Sequence, residues 1–299
     1  MKNYSNIAIV ASFFGLWIDS YLTSQFQIIL GFFLIFTFGI LHGANDILLI
    51  QHLNPAKKKN SQNKTLLYYV TVVLVGVLLF YTLPQVALLL FIIVSAYHFG
   101  EQQWHSVKTK LNNLVCIMFQ FLYGLVLLLL LFYFHSNQVQ DIVNKITHVM
   151  VPLVAFTIAL QITALLFGLY ICYLFWKFES LRGKIALEIF FLILFAILFK
   201  ASSLIWGFAL YFVLWHSIPS IIDQVIFLNG SFNITHFKAY CRAAFIYWFV
   251  SIIGIAVLFF ICKDEQFFNA LFFSFLAAIT FPHAAVIANM SSEEKTNTL

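Results

Sequence analysis

The sequence predicts an all-α fold, a polytopic integral membrane bundle of about eight to ten transmembrane helices. Of its 299 residues, 63% are hydrophobic and only 9% are charged, whereas soluble domains are nearly half apolar and a quarter charged. The apolar residues form continuous runs, as in membrane helices, and do not alternate as in barrel strands. This composition excludes an ordinary soluble enzyme and a disordered chain. The net charge is +5, but the basic residues lie in short clusters between apolar runs and not on one face. No nucleic-acid partner is therefore expected.

The apolar runs predict ten helices, and Pro84 separates the third from the fourth. The N-terminal run is interpreted as a retained first helix. Because no long linker divides the chain, we expect a single transmembrane domain over residues 1–290 and a short polar cytoplasmic tail over residues 291–299. The predicted helices cover residues 6–20, 25–50, 65–83, 85–104, 111–134, 147–176, 185–200, 203–228, 241–262 and 267–288.

These spans place the basic residues very unequally on the two sides of the membrane. Lys and Arg concentrate in cytoplasmic loops. We therefore expect an even number of spans, both termini in the cytoplasm, and a location in the bacterial inner membrane. One side carries Lys2, Lys57, Lys58, Lys59, Lys64, Lys108, Lys110, Lys177, Arg182, Lys184, Lys238, Arg242 and Lys295, and the other carries Lys145, Lys200 and Lys263.

Four short motifs, at residues 41–46, 96–101, 214–220 and 281–284, each place one histidine in or near a predicted helix. Ionisable groups are costly inside a membrane and usually have a function there. At 1.5 Å rise per residue, the four histidines lie roughly 20–26 Å from the outer ends of their helices, in one layer. Imidazole suits Fe, Zn, Cu and Ni, although a hydrogen bond between helices is the alternative for any single histidine. The pattern predicts a metal site formed by His42, His98, His216 and His283.

Two carboxylates accompany these histidines. Asp46 follows His42 by four residues and Glu101 follows His98 by three, so each pair shares a helix face. Each carboxylate could accept a hydrogen bond from a ligating imidazole and fix its tautomer, or it could face the cytoplasmic interface. We prefer the first interpretation for Asp46 and keep both for Glu101. The remaining histidines are expected at helix ends or in loops, as exposed or interfacial residues: His52, His105, His135, His148 and His236.

At these motifs the sequence resembles the Brp/Blh family of membrane-bound β-carotene 15,15′-dioxygenases. The motifs span most of the chain, in the family's order and at similar spacings. The resemblance implies an all-helical membrane protein that uses Fe(2+) and O2 to split β-carotene at its central 15,15′ double bond, giving retinal. It rests on Leu41-His42-Gly43-Ala44 with Asp46, Tyr97-His98-Phe99-Gly100, Trp215-His216-Ser217 and Phe281-Pro282-His283.

The resemblance implies iron ligation by His42, His98 and His216. The family pattern often has a further histidine four residues after the position of His216, where this sequence has Ser220. Either His283 completes a four-histidine site, or three histidines leave open positions on the metal, or the activity differs.

A carotenoid is a lipid-soluble polyene, so an apolar tunnel with aromatic walls is expected to bind it. Membrane lipid and O2 are the other expected partners, and the sequence does not indicate an oligomeric state. Two other function classes stay open: a transporter or channel that uses intramembrane histidines as relays, and a non-catalytic assembly protein for a retinal-binding partner. The predicted carotenoid contacts lie close to the motifs: Tyr97, Trp104, Trp206, Tyr211 and Trp215.

Overall fold

The computed structural model describes residues 2–53, 62–104, 111–261 and 265–297. These residues form helices and connecting turns with no strand among them, so the all-α prediction is confirmed. Within this part of the chain, seven helices are long and apolar enough to cross a membrane, which is typical of an integral membrane protein. They cover Asn63–Thr82, Pro84–Gln103, Asn113–Phe134, Leu153–Lys177, Leu204–Asn229, Ile234–Val257 and Leu271–Met290, and Tyr4–Asp19 and Ser24–Gly39 are shorter apolar helices.

Among the residues that the structure describes, two π-helical segments and one 3-10 turn interrupt the α-helices. The π-helical segments are Ile35–Gly39 and Phe212–Ser217, and the 3-10 turn is Glu179–Leu181. In chain order the α-helices are α1 (Lys2–Asp19), α2 (Ser24–Leu34), α3 (Asp46–Leu53), α4 (Gln62–Thr82), α5 (Pro84–Gln103), α6 (Asn113–Phe134), α7 (Ser136–Thr147), α8 (Leu153–Lys177), α9 (Arg182–Ala201), α10 (Leu204–Tyr211), α11 (Ile218–Asn229), α12 (Ile234–Ile261) and α13 (Glu265–Asn297).

Proline explains two of the helix boundaries. The predicted break at Pro84 is confirmed, because α5 begins with this residue, and proline fits the first position of a helix. The helix predicted over residues 147–176 begins only at Leu153, directly after Pro152. The residue before a proline is kept out of the helical region, and His148, at the start of this connection, has a positive φ of 57°.

Two further differences concern segments that the apolar pattern did not resolve. The helix predicted over residues 25–50 is not continuous: the chain leaves the helix at residues 42–45 and resumes it in α3. The short polar helix α7 (SNQVQDIVNKIT) was not predicted, because it lacks the apolar run used to find the spans. The orientation in the membrane and the single-domain organisation stay predictions.

The chain divides into two compact units. The first contains the described residues of Met1–Ile35, Ala96–Asp141 and Met150–His216. In it, α6 packs against α8 and α9, and α10 packs against α2.

Helices α5 and α6 approach each other very closely in this first unit. A Cβ atom added to Gly100 would lie 1.8 Å from the carbonyl oxygen of Gln120, and one added to Gly124 would lie 1.8 Å from the carbonyl oxygen of Ala96. Small residues at such positions let the backbones of membrane helices touch. Gly100 therefore fixes the segment of α5 that carries His98.

The second unit contains the described residues of Phe36–Ser95, Ile142–Val149 and Ser217–Leu299. Helix α13 packs against α4 and α3, and α11 packs against α12. Leu49 of α3 is buried against Val286, Ile287 and Met290 of α13. These contacts bring the start of α3 and the middle of α13 together, where Asp46 and His283 lie.

Candidate metal centre

His42 and His283 form a pair in the second unit. His42 is the first residue of the turn at 42–45, and His283 follows Pro282 in α13. Their ring centroids are 4.7 Å apart, with the ring planes at 89°. Only 5% of His42 and 4% of His283 is exposed.

Oxygen acceptors fix the Nδ1 atom of each of these two rings. Nδ1 of His42 hydrogen-bonds to the main-chain oxygen of Gly39. Nδ1 of His283 lies 2.8 Å from Oδ1 of Asp46, and the hydroxyl of Tyr69 donates to Oδ2 of Asp46 over 2.7 Å. When Nδ1 carries the proton, Nε2 carries the lone pair that a metal needs.

The partner of Asp46 differs from the one that the sequence spacing suggested. Asp46 lies in the first turn of α3, after the non-helical residues 42–45, so His42 and Asp46 do not share a helix face. The carboxylate bonds instead to His283, 237 residues further along the chain.

Three buried polar side chains support the turn that begins with His42. Nε2 of Gln224 donates to the main-chain oxygen of His42 over 2.8 Å and lies 3.0 Å from Oγ of Ser220. The hydroxyl of Tyr240 donates to Oε1 of Gln224 over 2.8 Å. Nδ2 of Asn45 donates to the main-chain oxygen of Tyr240 over 3.0 Å. Ser220, which stands where the family pattern often has histidine, is therefore part of the support for His42.

His98 and His216 form a second pair, in the first unit. His98 lies on α5 and His216 lies in the π-helical segment Phe212–Ser217. Their ring centroids are 4.7 Å apart, with the ring planes at 80°. The side chain of Gln102 donates to the main-chain oxygen of His216 over 2.9 Å. π-helical segments occur often at functional sites, and here one carries His216 while the other ends three residues before His42.

Aromatic rings surround His216. The ring of Phe99 lies edge-on to it at 4.8 Å, and the ring of Phe212 stacks on it at 5.4 Å. Tyr211 packs edge-on against Phe99 at 5.6 Å. Phe212 had no signal in the sequence, because phenylalanine is also common on lipid-facing surfaces of membrane helices.

The two tryptophans predicted to contact a carotenoid near His216 are both buried in the first unit. The indole N–H of Trp215 donates to Oγ of Ser12 over 2.9 Å, and that of Trp206 donates to the main-chain oxygen of Gly15 over 3.3 Å. Both bonds attach the helix of His216 to α1. A contact between these tryptophans and a carotenoid stays a prediction.

Of the other predicted carotenoid contacts, Tyr97 lies on α5 and Trp104 directly follows the end of this helix. Trp104 is fully buried and packs edge-on against Phe119 at 4.6 Å. Tyr97 is partly buried and hydrogen-bonds to Glu101, one turn later. Only 1% of Glu101 is exposed, so this carboxylate does not face the solvent. A role for Tyr97 and Trp104 in carotenoid binding stays a prediction.

Glu188, on α9, is buried in the first unit. Its carboxylate accepts bonds from Nε2 of Gln103, at 3.2 and 3.0 Å, and from the hydroxyl of Tyr123 at 3.0 Å. Nζ of Lys184 donates to the main-chain oxygen of Gln103 over 2.9 Å. Glu188 therefore links α9 to α5 and α6 and fixes the end of the helix that carries His98.

The histidines expected outside the site have the predicted placement where they are described. His52 and His148 are exposed, and His135 and His236 are partly buried. His105 lies outside the described residues.

The four motif histidines are a group that could hold a metal ion. Each of them is buried and offers one ring nitrogen. Four neutral imidazoles suit Fe, Zn, Cu or Ni.

Comparison with known proteins agrees with the motifs. A family model described as beta-carotene 15,15′-dioxygenase matches residues 33–291, which include all four histidines. No curated protein and no solved structure matches the chain. Since the matched region covers most of the sequence, the chain belongs to the β-carotene 15,15′-dioxygenase family.

Proposed function

We propose that this protein is a membrane-bound non-haem iron dioxygenase that cleaves β-carotene at its central 15,15′ double bond. The observation that carries the proposal is the buried group of four histidines within a region that matches this family. In the reaction, the carbon–carbon double bond breaks and each of its two carbons receives one oxygen atom of O2. Two molecules of retinal form, and no additional reductant is needed.

The proposed iron ligands are His42, His98, His216 and His283. The bonds of His42 to Gly39 and of His283 to Asp46 support this set, because they fix the tautomer in which Nε2 carries the lone pair. When bound, Fe(2+) supplies the activation of O2 that the cleavage requires. The histidines themselves hold the ion, and the oxygen acceptors hold the rings.

The proposed substrate is a carotenoid that enters from the lipid. A long polyene offers no hydrogen-bonding groups, so its recognition depends on apolar and aromatic contacts. Phe99 and Phe212 lie against the ring of His216, and Tyr211 packs on Phe99. In the proposal these rings exclude water and bring the central double bond to the metal, while Tyr97, Trp104, Trp206 and Trp215 line the path.

Expression in β-carotene-producing bacteria tests the proposal. We expect the cells to lose their colour and accumulate retinal when they make the wild-type protein. His98→Ala should leave the carotene intact, and His52→Ala, which changes an exposed histidine, should behave like the wild type. Unchanged carotene with a wild-type protein that is folded in the membrane and loaded with iron would contradict the proposed substrate.

The iron content of the purified protein separates this proposal from the non-catalytic alternative. The dioxygenase requires about one iron per chain, retained through purification in detergent. A folded protein without bound metal would favour an assembly role, in which the histidines only form hydrogen bonds between helices.

A further inference from the structure

We propose that Tyr69 is a positioning residue of the metal site and that it acts on His283 through Asp46. This inference rests on the proposed function, because it assumes that His283 is a metal ligand. Tyr69 belongs to none of the four histidine motifs, and it lies on α4, which carries no motif histidine.

The geometry is a chain of two hydrogen bonds that uses both oxygens of one carboxylate. The hydroxyl of Tyr69 donates to Oδ2 of Asp46 over 2.7 Å, and Oδ1 of Asp46 lies 2.8 Å from Nδ1 of His283. A carboxylate with one such bond can still rotate about its Cβ–Cγ axis. The second bond, on the other oxygen, fixes that rotation and therefore the direction of the acceptor that His283 meets.

Burial makes the hydroxyl of Tyr69 difficult to replace. Only 1% of Asp46 is exposed, and 4% of His283. A buried carboxylate oxygen that loses its donor keeps the cost of desolvation unless it finds another donor. The carboxylate of the Tyr69→Phe variant is therefore expected to turn towards another donor, which weakens its bond to His283.

Three helices meet at this chain of bonds, so the positioning depends on more than one segment. Asp46 lies in the first turn of α3, where the helix dipole favours a negative charge. His283 follows Pro282 inside α13. Helix α4 contacts α13 closely, and a Cβ atom added to Gly76 would lie 3.3 Å from Ala278. Tyr69 thus has a fixed position relative to α13.

The competing explanation is that Tyr69 only stabilises the packing of α4. The test compares Tyr69→Phe, which keeps the ring and removes the hydroxyl, with Tyr68→Phe at the neighbouring position. Tyr68 is 71% exposed and serves as the matched control. Both variants and the wild type are purified as full chains in detergent, stripped of metal and titrated with Co(2+), which is followed by its visible absorption.

We expect Tyr69→Phe to weaken Co(2+) binding by about tenfold and to change the absorption spectrum, in line with the 10–100-fold effects of groups that hold metal ligands. Tyr68→Phe should match the wild type in both measurements. A packing role alone would lower the melting temperature of Tyr69→Phe and leave the affinity and spectrum of Co(2+) unchanged, which would overturn the inference.

A double-mutant cycle tests whether Tyr69 acts through Asp46. Asp46→Asn should weaken Co(2+) binding more than Tyr69→Phe does, and the double variant should equal Asp46→Asn, because the hydroxyl has no carboxylate left to hold. Additive effects would show an independent role of Tyr69 and overturn the inference. A wild-type protein that binds neither iron nor Co(2+) would instead contradict the metal site in the proposed function.

Discussion

The two histidine pairs have the same internal spacing but very different surroundings. Ring centroids are 4.7 Å apart in the His42–His283 pair and also in the His98–His216 pair. Hydrogen-bond acceptors hold both rings of the first pair at Nδ1. Rings of phenylalanine lie against His216 in the second pair. For the proposed dioxygenase, we therefore expect polar groups around the first pair to set the metal affinity and aromatic groups around the second pair to select the substrate.

The largest expected effect is the loss of iron when one histidine of either pair is removed. His42→Ala and His98→Ala should both abolish iron retention. Each variant lacks one of the four proposed ligands, and the surrounding side chains keep their positions and do not replace it. Membrane insertion should change little, since each substitution leaves the apolar helices intact. Metal analysis of the purified variants measures this, and stoichiometric iron in both variants would contradict the assignment.

His283→Ala tests whether both members of the first pair are ligands. We expect a loss of at least tenfold in iron affinity, because this chain has no histidine at position 220 to replace His283. The family pattern often has one there, but here the hydroxyl of Ser220 lies against Gln224. His52→Ala is the control at an exposed histidine. If His283→Ala keeps wild-type iron and retinal production, three histidines suffice and the polar surroundings of the first pair serve only the fold.

The aromatic surroundings of the second pair should affect substrate use with little effect on the metal. Phe212→Leu removes the ring that stacks on His216, and we expect retinal production to fall by about three- to tenfold with iron content unchanged. Phe245→Leu, at a phenylalanine that is 56% exposed, is the matched control. A parallel loss of iron in Phe212→Leu would remove the distinction between the two pairs.

The histidines were predictable because an intramembrane imidazole is costly and therefore conspicuous in an apolar sequence. The position of Asp46 beside such a histidine also predicts that its carboxylate bonds to an imidazole. Its actual partner could not be read from the sequence, because the bond to His283 joins residues 237 positions apart. The four-residue spacing favours a bond between Asp46 and His42, but this spacing brings the two side chains together only if residues 42–46 are helical.

The break in the helix at residues 42–45 depends on contacts that local sequence does not reveal. No proline stands there, and the apolar run predicts a continuous helix over residues 25–50. The turn is instead supported by Gln224 and by Tyr240, whose partners His42 and Asn45 lie 182 and 195 positions away in sequence. Tyr69 could not be identified from the sequence for the same reason, because its role depends on a hydrogen bond to a distant residue. In the sequence it is only one of two adjacent tyrosines at the start of an apolar helix.

The smallest expected effect concerns the support behind the first pair. Tyr240→Phe removes the hydroxyl that donates to Gln224, which itself donates to the main chain of His42. Loss of one buried hydrogen bond costs about 1 kcal/mol, so the melting temperature should fall by a few degrees and Co(2+) affinity by about threefold. Tyr81→Phe, at a tyrosine that is 86% exposed, is the control. Because this support reaches His42 through its backbone and not through its ring, the Co(2+) spectrum should keep its wild-type shape. A changed spectrum would mean that Tyr240 orients the imidazole, and the polar surroundings of His42 would then act as directly as those of His283.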